Sequence, residues 1–174
     1  MNPQLGATFA SRSLDLEQLS MVDAEDFFQA CQPAWSWENL QSLALTSQLL
    51  RATGSPREID ILLYEAGAAA LRMPSLRTLV LGNGRKGIAC AFIYHTDRYH
   101  ASITWRGTWE TKLSPRVVEV WERVALERRS CPLRVGKEQV CGDIASHGDA
   151  IHHLALPCRV VAPASLWQIR REGG

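Results

Sequence analysis

The sequence lacks any long apolar run, and none of its segments approaches the roughly 18 consecutive apolar residues that a transmembrane helix needs. Residues 1–12 lack a basic segment followed by an apolar one, so we expect no signal peptide. A strong charge of one sign is also missing, because 19 basic and 18 acidic residues give a formal net charge of +1. These absences predict no membrane partner and no nucleic-acid partner bound by net charge.

Cysteine pairs are also missing. The five cysteines are an odd number at irregular spacings, and no two form a C-x-x-C pair: Cys31, Cys90, Cys131, Cys141 and Cys158. Without a secretory signal, this usage predicts free thiols in a reducing compartment. We therefore expect an intracellular protein, either cytoplasmic or nuclear.

Familiar catalytic motifs are absent as well. The sequence contains neither H-E-x-x-H nor G-x-S-x-G, so it does not indicate a zinc protease or an α/β-hydrolase. The loop at residues 82–87 is rich in glycine and cations, but it leads into a predicted strand and lacks G-x-x-x-x-G-K-[ST]. We predict no catalytic residue, no metal and no cofactor, and the sequence leans away from an enzyme without excluding one.

Leucine spacing is the most informative pattern present. Residues 40–45 and 76–81 both read L-x-x-L-x-L, with starts 36 residues apart, and residues 151–156 form a looser third copy. This is the strand pattern of a leucine-rich repeat. Between the first two copies, Ser55, Pro56 and Glu58 predict the capped start of a helix. Strand, helix and strand together make one repeat unit, which must stack on neighbours to bury its apolar face.

Outside the leucine copies and the helix between the first two, the sequence pattern is less regular. Residues from Leu14 onwards read as helical, and Asp23 could cap a second helical run that contains Cys31 and ends at Gln32-Pro33. Residues 90–96 with 99–105 predict a hairpin that pairs Phe92 with Ile103. Ser114-Pro115 opens a second helix, residues 131–135 form a possible edge strand, and residues 143–150 and 165–171 are further helical segments. The length of 174 residues fits one domain, at 14–174, behind a loose tail at 1–13. We predict an α/β fold, with an irregular leucine-rich-repeat-like layer of strands and helices and an inserted β-hairpin.

Two groups of residues are candidate sites. Trp105, Arg106 and Trp109 could form an exposed interaction surface, since tryptophan and arginine are enriched at interface hot spots; the alternative is that the tryptophans belong to the core. A second, polar group lies near the third leucine copy and consists of His147, Asp149 and His152. Its spacing does not match a zinc site, so the alternative is a connection whose side chains cap backbone groups.

Six segments together resemble one family: residues 23–28, 35–40, 76–79, 105–110, 114–118 and 146–151. They are similar to the C-terminal domain of unknown function in F-box-like proteins of filamentous fungi. In such proteins an F-box often precedes this region and docks a ubiquitin-ligase adaptor, which leaves substrate recognition to the region behind it. Residues 1–15 show no Leu-Pro-rich helical opening of F-box type, so we expect only the recognition half here.

A function hypothesis follows from the 36-residue spacing of the leucine strands, the capped helix between them and the missing catalytic motifs. We expect a non-enzymatic protein-interaction module that binds an unidentified protein partner. The alternative is an enzyme or accessory protein in fungal specialised (secondary) metabolite biosynthesis. Its support is the concentration of histidine, aspartate and cysteine in the last third of the chain, together with the aromatic residues near Trp105.

Overall fold

A computed structural model describes residues 13–129 and 131–157. A 3-10 turn, Ser13–Asp15, is followed by six strands and four helices. In chain order these are β1 (Gln18–Asp23), α1 (Ala24–Ala30), β2 (Ser42–Thr46), α2 (Pro56–Ala70), β3 (Thr78–Arg85), β4 (Ile88–Thr96), β5 (Ala101–Gly107), α3 (Pro115–Arg129), β6 (Leu133–Gln139) and α4 (His147–Leu154).

The six strands form one mixed sheet in which their spatial order equals their order along the chain. β1, β2 and β3 are parallel, and Ser42 of β2 lies level with both Gln18 and Thr78. β3, β4 and β5 are antiparallel neighbours, whereas β6 is parallel to β5. Helices α1, α2 and α3 are the crossover connections that parallel neighbours require.

The two best-defined helix predictions are confirmed. The Ser55 hydroxyl accepts a hydrogen bond from the Glu58 backbone N–H at 3.4 Å, and Pro56 occupies the first turn of α2. The Ser114 hydroxyl accepts one from the Val117 N–H at 3.3 Å at the start of α3. Such caps satisfy backbone donors that have no partner inside the helix. They fix where each helix begins, and so which side chains face the sheet.

Helices α1 to α3 cover one face of the sheet with a large aromatic core. The ring of Trp121 on α3 lies 5.3 Å from Phe92 and 4.9 Å from Tyr94, between centroids. Its indole N–H donates to the Leu63 carbonyl of α2 at 3.1 Å, which satisfies the buried polar atom. This side chain therefore ties two helices and two strands together.

A smaller apolar cluster on the other face of the sheet is covered by α4. Val80, Ala91 and Ile93 of the sheet pack with Ala150 and Leu154 of the helix. A Cβ atom at Gly84 would lie only 2.9 Å from the Cβ of Ala150. The short distance means that α4 approaches β3 closely enough to require glycine at this position.

The third leucine copy does not form a strand. Residues 40–45 and 76–81 do contribute to neighbouring parallel strands, β2 and β3, but residues 151–154 belong to α4. Ile151 and Leu154 are three residues apart, so the same letters also fit one stripe of a helix, and the Ser146 hydroxyl caps that helix. The α/β class is correct, while the described residues form a mixed six-stranded sheet without a continuing leucine-rich repeat.

The inserted hairpin is present, but its predicted register is wrong by two residues. Phe92 pairs with Trp105 instead of Ile103, and Thr96 pairs with Ala101. The connection has four residues, within which the Asp97 carboxylate accepts hydrogen bonds from the N–H groups of Tyr99 and His100 at 2.7 and 2.8 Å. Asp97 therefore favours a longer turn than the two-residue one expected. A shift by two leaves each side chain on its predicted face.

The ends of the described chain differ from their predictions in different ways. Residues 18–23 form strand β1 instead of a helix, because they pair with β2. β6 confirms the expected edge strand at the opposite side of the sheet, although it begins at Leu133. The tail predicted at 1–13, apart from Ser13, and the helical turn predicted at 165–171 lie outside the described residues.

Candidate functional site

The predicted aromatic surface does not form as expected. Trp105 is only 1% exposed, since its ring belongs to the core under α1 to α3. Its indole N–H donates to the Trp109 carbonyl at 2.8 Å, and the two rings meet edge to face at 4.8 Å. The alternative assignment of these two tryptophans to the core therefore describes them better than an interaction surface does.

Arg106 lies on the opposite face from Trp105, because neighbouring side chains of a strand alternate. Its Nε donates to the Glu138 carboxylate at 2.6 Å. One terminal nitrogen donates to the carbonyls of Leu154 and Ala155, at 2.5 and 2.9 Å. Arg106 thus anchors the C-terminal end of α4 to the sheet, and it cannot share one surface with the tryptophans.

The polar group at residues 147–152 does not converge on one point. His147 turns towards the sheet, where its Nδ1 lies 2.6 Å from the Gly84 carbonyl oxygen. Asp149 is half-buried in the first turn of α4, and its backbone N–H donates to the Ser146 hydroxyl at 3.1 Å. His152 is exposed and its ring contacts that of His153, with centroids 5.7 Å apart. Only His147 reaches the surface feature described next.

An apolar cleft lies between α4 and the carboxyl ends of β2 and β3. Its cavity volume is about 60 Å³. The lining includes Ala44, Val80, Ile151, Leu154 and Leu156, with His147 at one side. The cleft lies on the sheet face opposite α1 to α3. It could not be recognised from the sequence because its walls come from three separated segments.

The contact between His147 and Gly84 fixes the chemistry of the imidazole. A carbonyl oxygen can only accept a hydrogen bond, so Nδ1 must carry the hydrogen. In the neutral ring Nε2 is then left as an acceptor. The cleft therefore has largely apolar walls, and the His147 imidazole is among its lining residues.

A buried polar pair lies at the carboxyl ends of β1 and β2. The Ser47 hydroxyl donates to Oε1 of Glu25 at 2.5 Å, while it accepts from the Leu49 N–H at 3.1 Å. The second carboxylate oxygen of Glu25 is buried without a hydrogen-bond partner. Burial raises the pKa of the Glu25 carboxyl, and the hydrogen bond from Ser47 opposes this rise. Ser47 is almost fully buried, so the pair is shielded from a ligand.

The four described cysteines are free thiols, in agreement with the sequence: Cys31, Cys90, Cys131 and Cys141. Burial raises the pKa of Cys31 to about 11 and that of Cys90 to about 12. Thiols with such pKa values carry little thiolate at neutral pH and are poor nucleophiles. Cys158 lies outside the described residues.

Over residues 13–129 and 131–157, histidine, cysteine, aspartate and glutamate form no group of three that could hold a metal ion. In the same part of the chain, no helix is both long and apolar enough to cross a membrane.

Comparison with known protein families gives one match, to the model of a family of unknown function, DUF6546, over residues 1–162. The chain belongs to the DUF6546 family. The match spans all six strands, all four helices and the cleft. Comparison with curated proteins and with solved structures found no match. Because the function of the family is unknown, membership in DUF6546 does not identify an activity.

Proposed function

We propose that this DUF6546 domain is an intracellular, non-enzymatic protein-interaction module that binds its partner through the apolar cleft beside α4. The observation that carries the proposal is the cleft itself. It offers a concave apolar surface on β2 and β3 beside α4, and binding sites are typically concave and mostly apolar.

The size of the cleft favours a protein partner over a cofactor. Small-molecule sites typically measure about 300–1,000 Å³. A volume of about 60 Å³ is far smaller and suits one apolar side chain of a bound segment. An anchor residue in a pocket is the usual core of a protein interface.

The parallel half of the sheet supports a link to repeat proteins. β1, β2 and β3 follow one another in order, with level register and with their crossover helices on one face. A leucine-rich-repeat layer advances in the same manner. We propose that these strands are the end of such a layer, as in the substrate-recognition part of fungal F-box-like proteins. An in-frame F-box upstream in the gene would support this link, and its absence would count against it.

Selection from a displayed peptide library tests the binding role. We expect selected peptides to share one aliphatic anchor residue and to lose at least tenfold in affinity for Gly82→Val, where the new side chain enters the cleft. A Cβ at Gly82 makes only ordinary contacts, the nearest being 3.4 Å from the Cys90 carbonyl oxygen, so the fold should persist.

Gly136→Val on β6 is the matched control, since a Cβ there also has its nearest neighbour at 3.4 Å, in Thr104. It should retain full affinity. Peptides without a shared anchor, or equal binding to both variants, would contradict the proposal.

A second candidate is an enzyme or accessory protein of fungal specialised metabolism. The observation that favours it is His147, because a neutral imidazole at an apolar cleft can act as a general base. Hydrolysis of short-chain aliphatic nitrophenyl esters by the purified protein, and its loss in His147→Asn, would support this candidate. This candidate is contradicted if the purified protein hydrolyses none of these esters, or if His147→Asn hydrolyses them equally well.

A further inference from the structure

Strand β6 lies at an edge of the sheet, and its sequence is complementary to itself. It is the last strand in the spatial order, and no described strand pairs with its outer side. We propose that two copies of the chain associate through this edge, with β6 antiparallel to β6 of the second copy around a twofold axis at Gly136. The contact is separate from the cleft, which lies on β2 and β3 beside α4.

The backbone of β6 presents a regular row of hydrogen-bonding groups on its outer side. Its pairing with β5 is continuous from Leu133 to Gln139, and the Val140 N–H donates to the Gly107 carbonyl of β5 at 2.8 Å. Successive residues of a strand direct their backbone groups to opposite sides. The N–H and C=O groups of residues 133, 135, 137 and 139 therefore point away from β5. Such a row is a template for pairing with another strand.

The opposite edge of the sheet, β1, is less regular. The register of β1 against β2 shifts between Ser20 and Val22, as in a β-bulge. Bulges twist an edge strand and hinder further pairing, whereas the register of β6 against β5 has no shift. Of the two edges, β6 is therefore the one suited to accept a strand.

Charge complementarity indicates the second copy as the occupant. With the axis at Gly136, Arg134 lies opposite Glu138 of the second copy, and the symmetry repeats this contact. Arg134 forms no ion pair with any described residue. Glu138 uses one carboxylate oxygen for Arg106 of its own chain, at 2.6 Å, and has the other oxygen for Arg134 of the second copy. Opposite charges directly across two strands stabilise their pairing.

Neighbouring registers are less favourable. An axis at Lys137 would place two lysines directly opposite each other, which is destabilising. An axis at Val135 would pair only residues 133–137 of β6 and would lose both contacts between Arg134 and Glu138. Gly136 suits the axis, because it falls at a non-hydrogen-bonded pair, where side chains approach most closely.

The expected dimer is weak and reversible. Val135 is 50% exposed, and in this register it packs against the aliphatic stem of Lys137 of the second copy. A pair of seven-residue strands buries less surface than a standard protein interface. We therefore expect a Kd on the order of 100 µM.

Sedimentation velocity of the full chain over a range of concentrations tests the association. Arg134→Glu and Glu138→Arg should each weaken it at least about tenfold, because like charges then face each other. An equimolar mixture of these two variants should associate as well as the unaltered protein, since opposite charges face each other again in the mixed dimer. Lys137→Glu is the matched control. It makes the same change of charge on the same strand but lies opposite Val135, so association should change less than about threefold.

Amide hydrogen exchange locates the contact. The N–H groups of Val135 and Lys137 should exchange more slowly as the protein concentration rises, whereas the Gly136 N–H, which points towards β5, should keep its rate. A monomer at concentrations well above the expected Kd would overturn the inference. So would a mixture that associates no better than its two components, or an exchange rate of Val135 and Lys137 that ignores concentration. Peptide selection tests the cleft independently of these results.

Discussion

The two faces of the sheet are packed in different ways. Under α1 to α3, the largest fully buried side chains include Trp37, Trp105 and Trp121, and they contact several elements at once. The other face has small and aliphatic residues below one helix of eight residues, and the cleft opens beside it. Burial of apolar area stabilises in proportion to its size, so the first face holds the fold. We expect the second face to open locally at a lower free energy than the first, because its apolar cluster is smaller.

The largest expected effect is on the first face. Trp121→Ala should lower the free energy of unfolding by about 3–5 kcal/mol, because it leaves a cavity against Phe92 and Tyr94. Urea denaturation followed by circular dichroism measures this loss. Ile151→Ala, in the partly exposed wall of the cleft, should cost far less. Similar losses for both variants would remove the distinction between the two faces.

A smaller effect is expected where α4 meets β3. Gly84→Ala should cost about 1–3 kcal/mol, since its methyl group would lie 2.9 Å from the Ala150 Cβ and force the helix outwards. Gly82→Ala is the control on the same strand, because its Cβ has no neighbour closer than 3.4 Å. Urea denaturation gives the loss, and hydrogen exchange in α4 shows whether it is local. If Gly84→Ala leaves the free energy of unfolding unchanged, α4 packs loosely against β3.

Arg106→Gln tests how firmly the other end of α4 is held. The variant loses the charged hydrogen bonds to Leu154 and Ala155, so we expect about 1 kcal/mol of destabilisation for this partly exposed side chain. Amide exchange in α4 should accelerate while that in α2 stays unchanged. Arg123→Gln removes only an exposed ion pair of 3.8 Å with Glu127 and should have no measurable effect. Uniform acceleration throughout the domain would contradict a local role.

The sequence predicts the helices on the first face of the sheet better than the helix and the cleft on the second face. The cap at Ser55 and the apolar stripe of α2 are local signals, and both appear as expected. The leucine pattern predicted a strand at residues 151–156, although the spacing of Ile151 and Leu154 and the cap at Ser146 also suit a helix. Contacts with Gly84 and Arg106 hold that helix against the sheet. His147 lines the cleft, but its hydrogen-bond partner Gly84 lies 63 residues away. Contacts between distant segments leave no periodic signal, which is why the cleft could not be predicted.

The smallest effect concerns Glu25, on the side of α1. Its pKa is raised by burial, so the folded chain keeps this proton to higher pH than the unfolded chain does. Unfolding then releases a proton above the ordinary pKa of 4.5, and the free energy of unfolding falls as pH rises through that window. In Glu25→Gln the amide oxygen still accepts from Ser47 and no charge forms. The variant should therefore lack this decline.

Asp97 in the hairpin turn is expected to give the opposite dependence of stability on pH. Hydrogen bonds from the Tyr99 and His100 N–H groups lower its pKa, so its contribution is present above the ordinary pKa of 3.8 and is lost as pH falls. Asp97→Asn should reduce the loss of stability in acid and leave the decline above pH 4.5 intact, whereas Glu25→Gln should do the reverse. Urea midpoints measured from pH 3 to pH 8 distinguish the two. A decline above pH 4.5 that persists in Glu25→Gln would show that another group causes it.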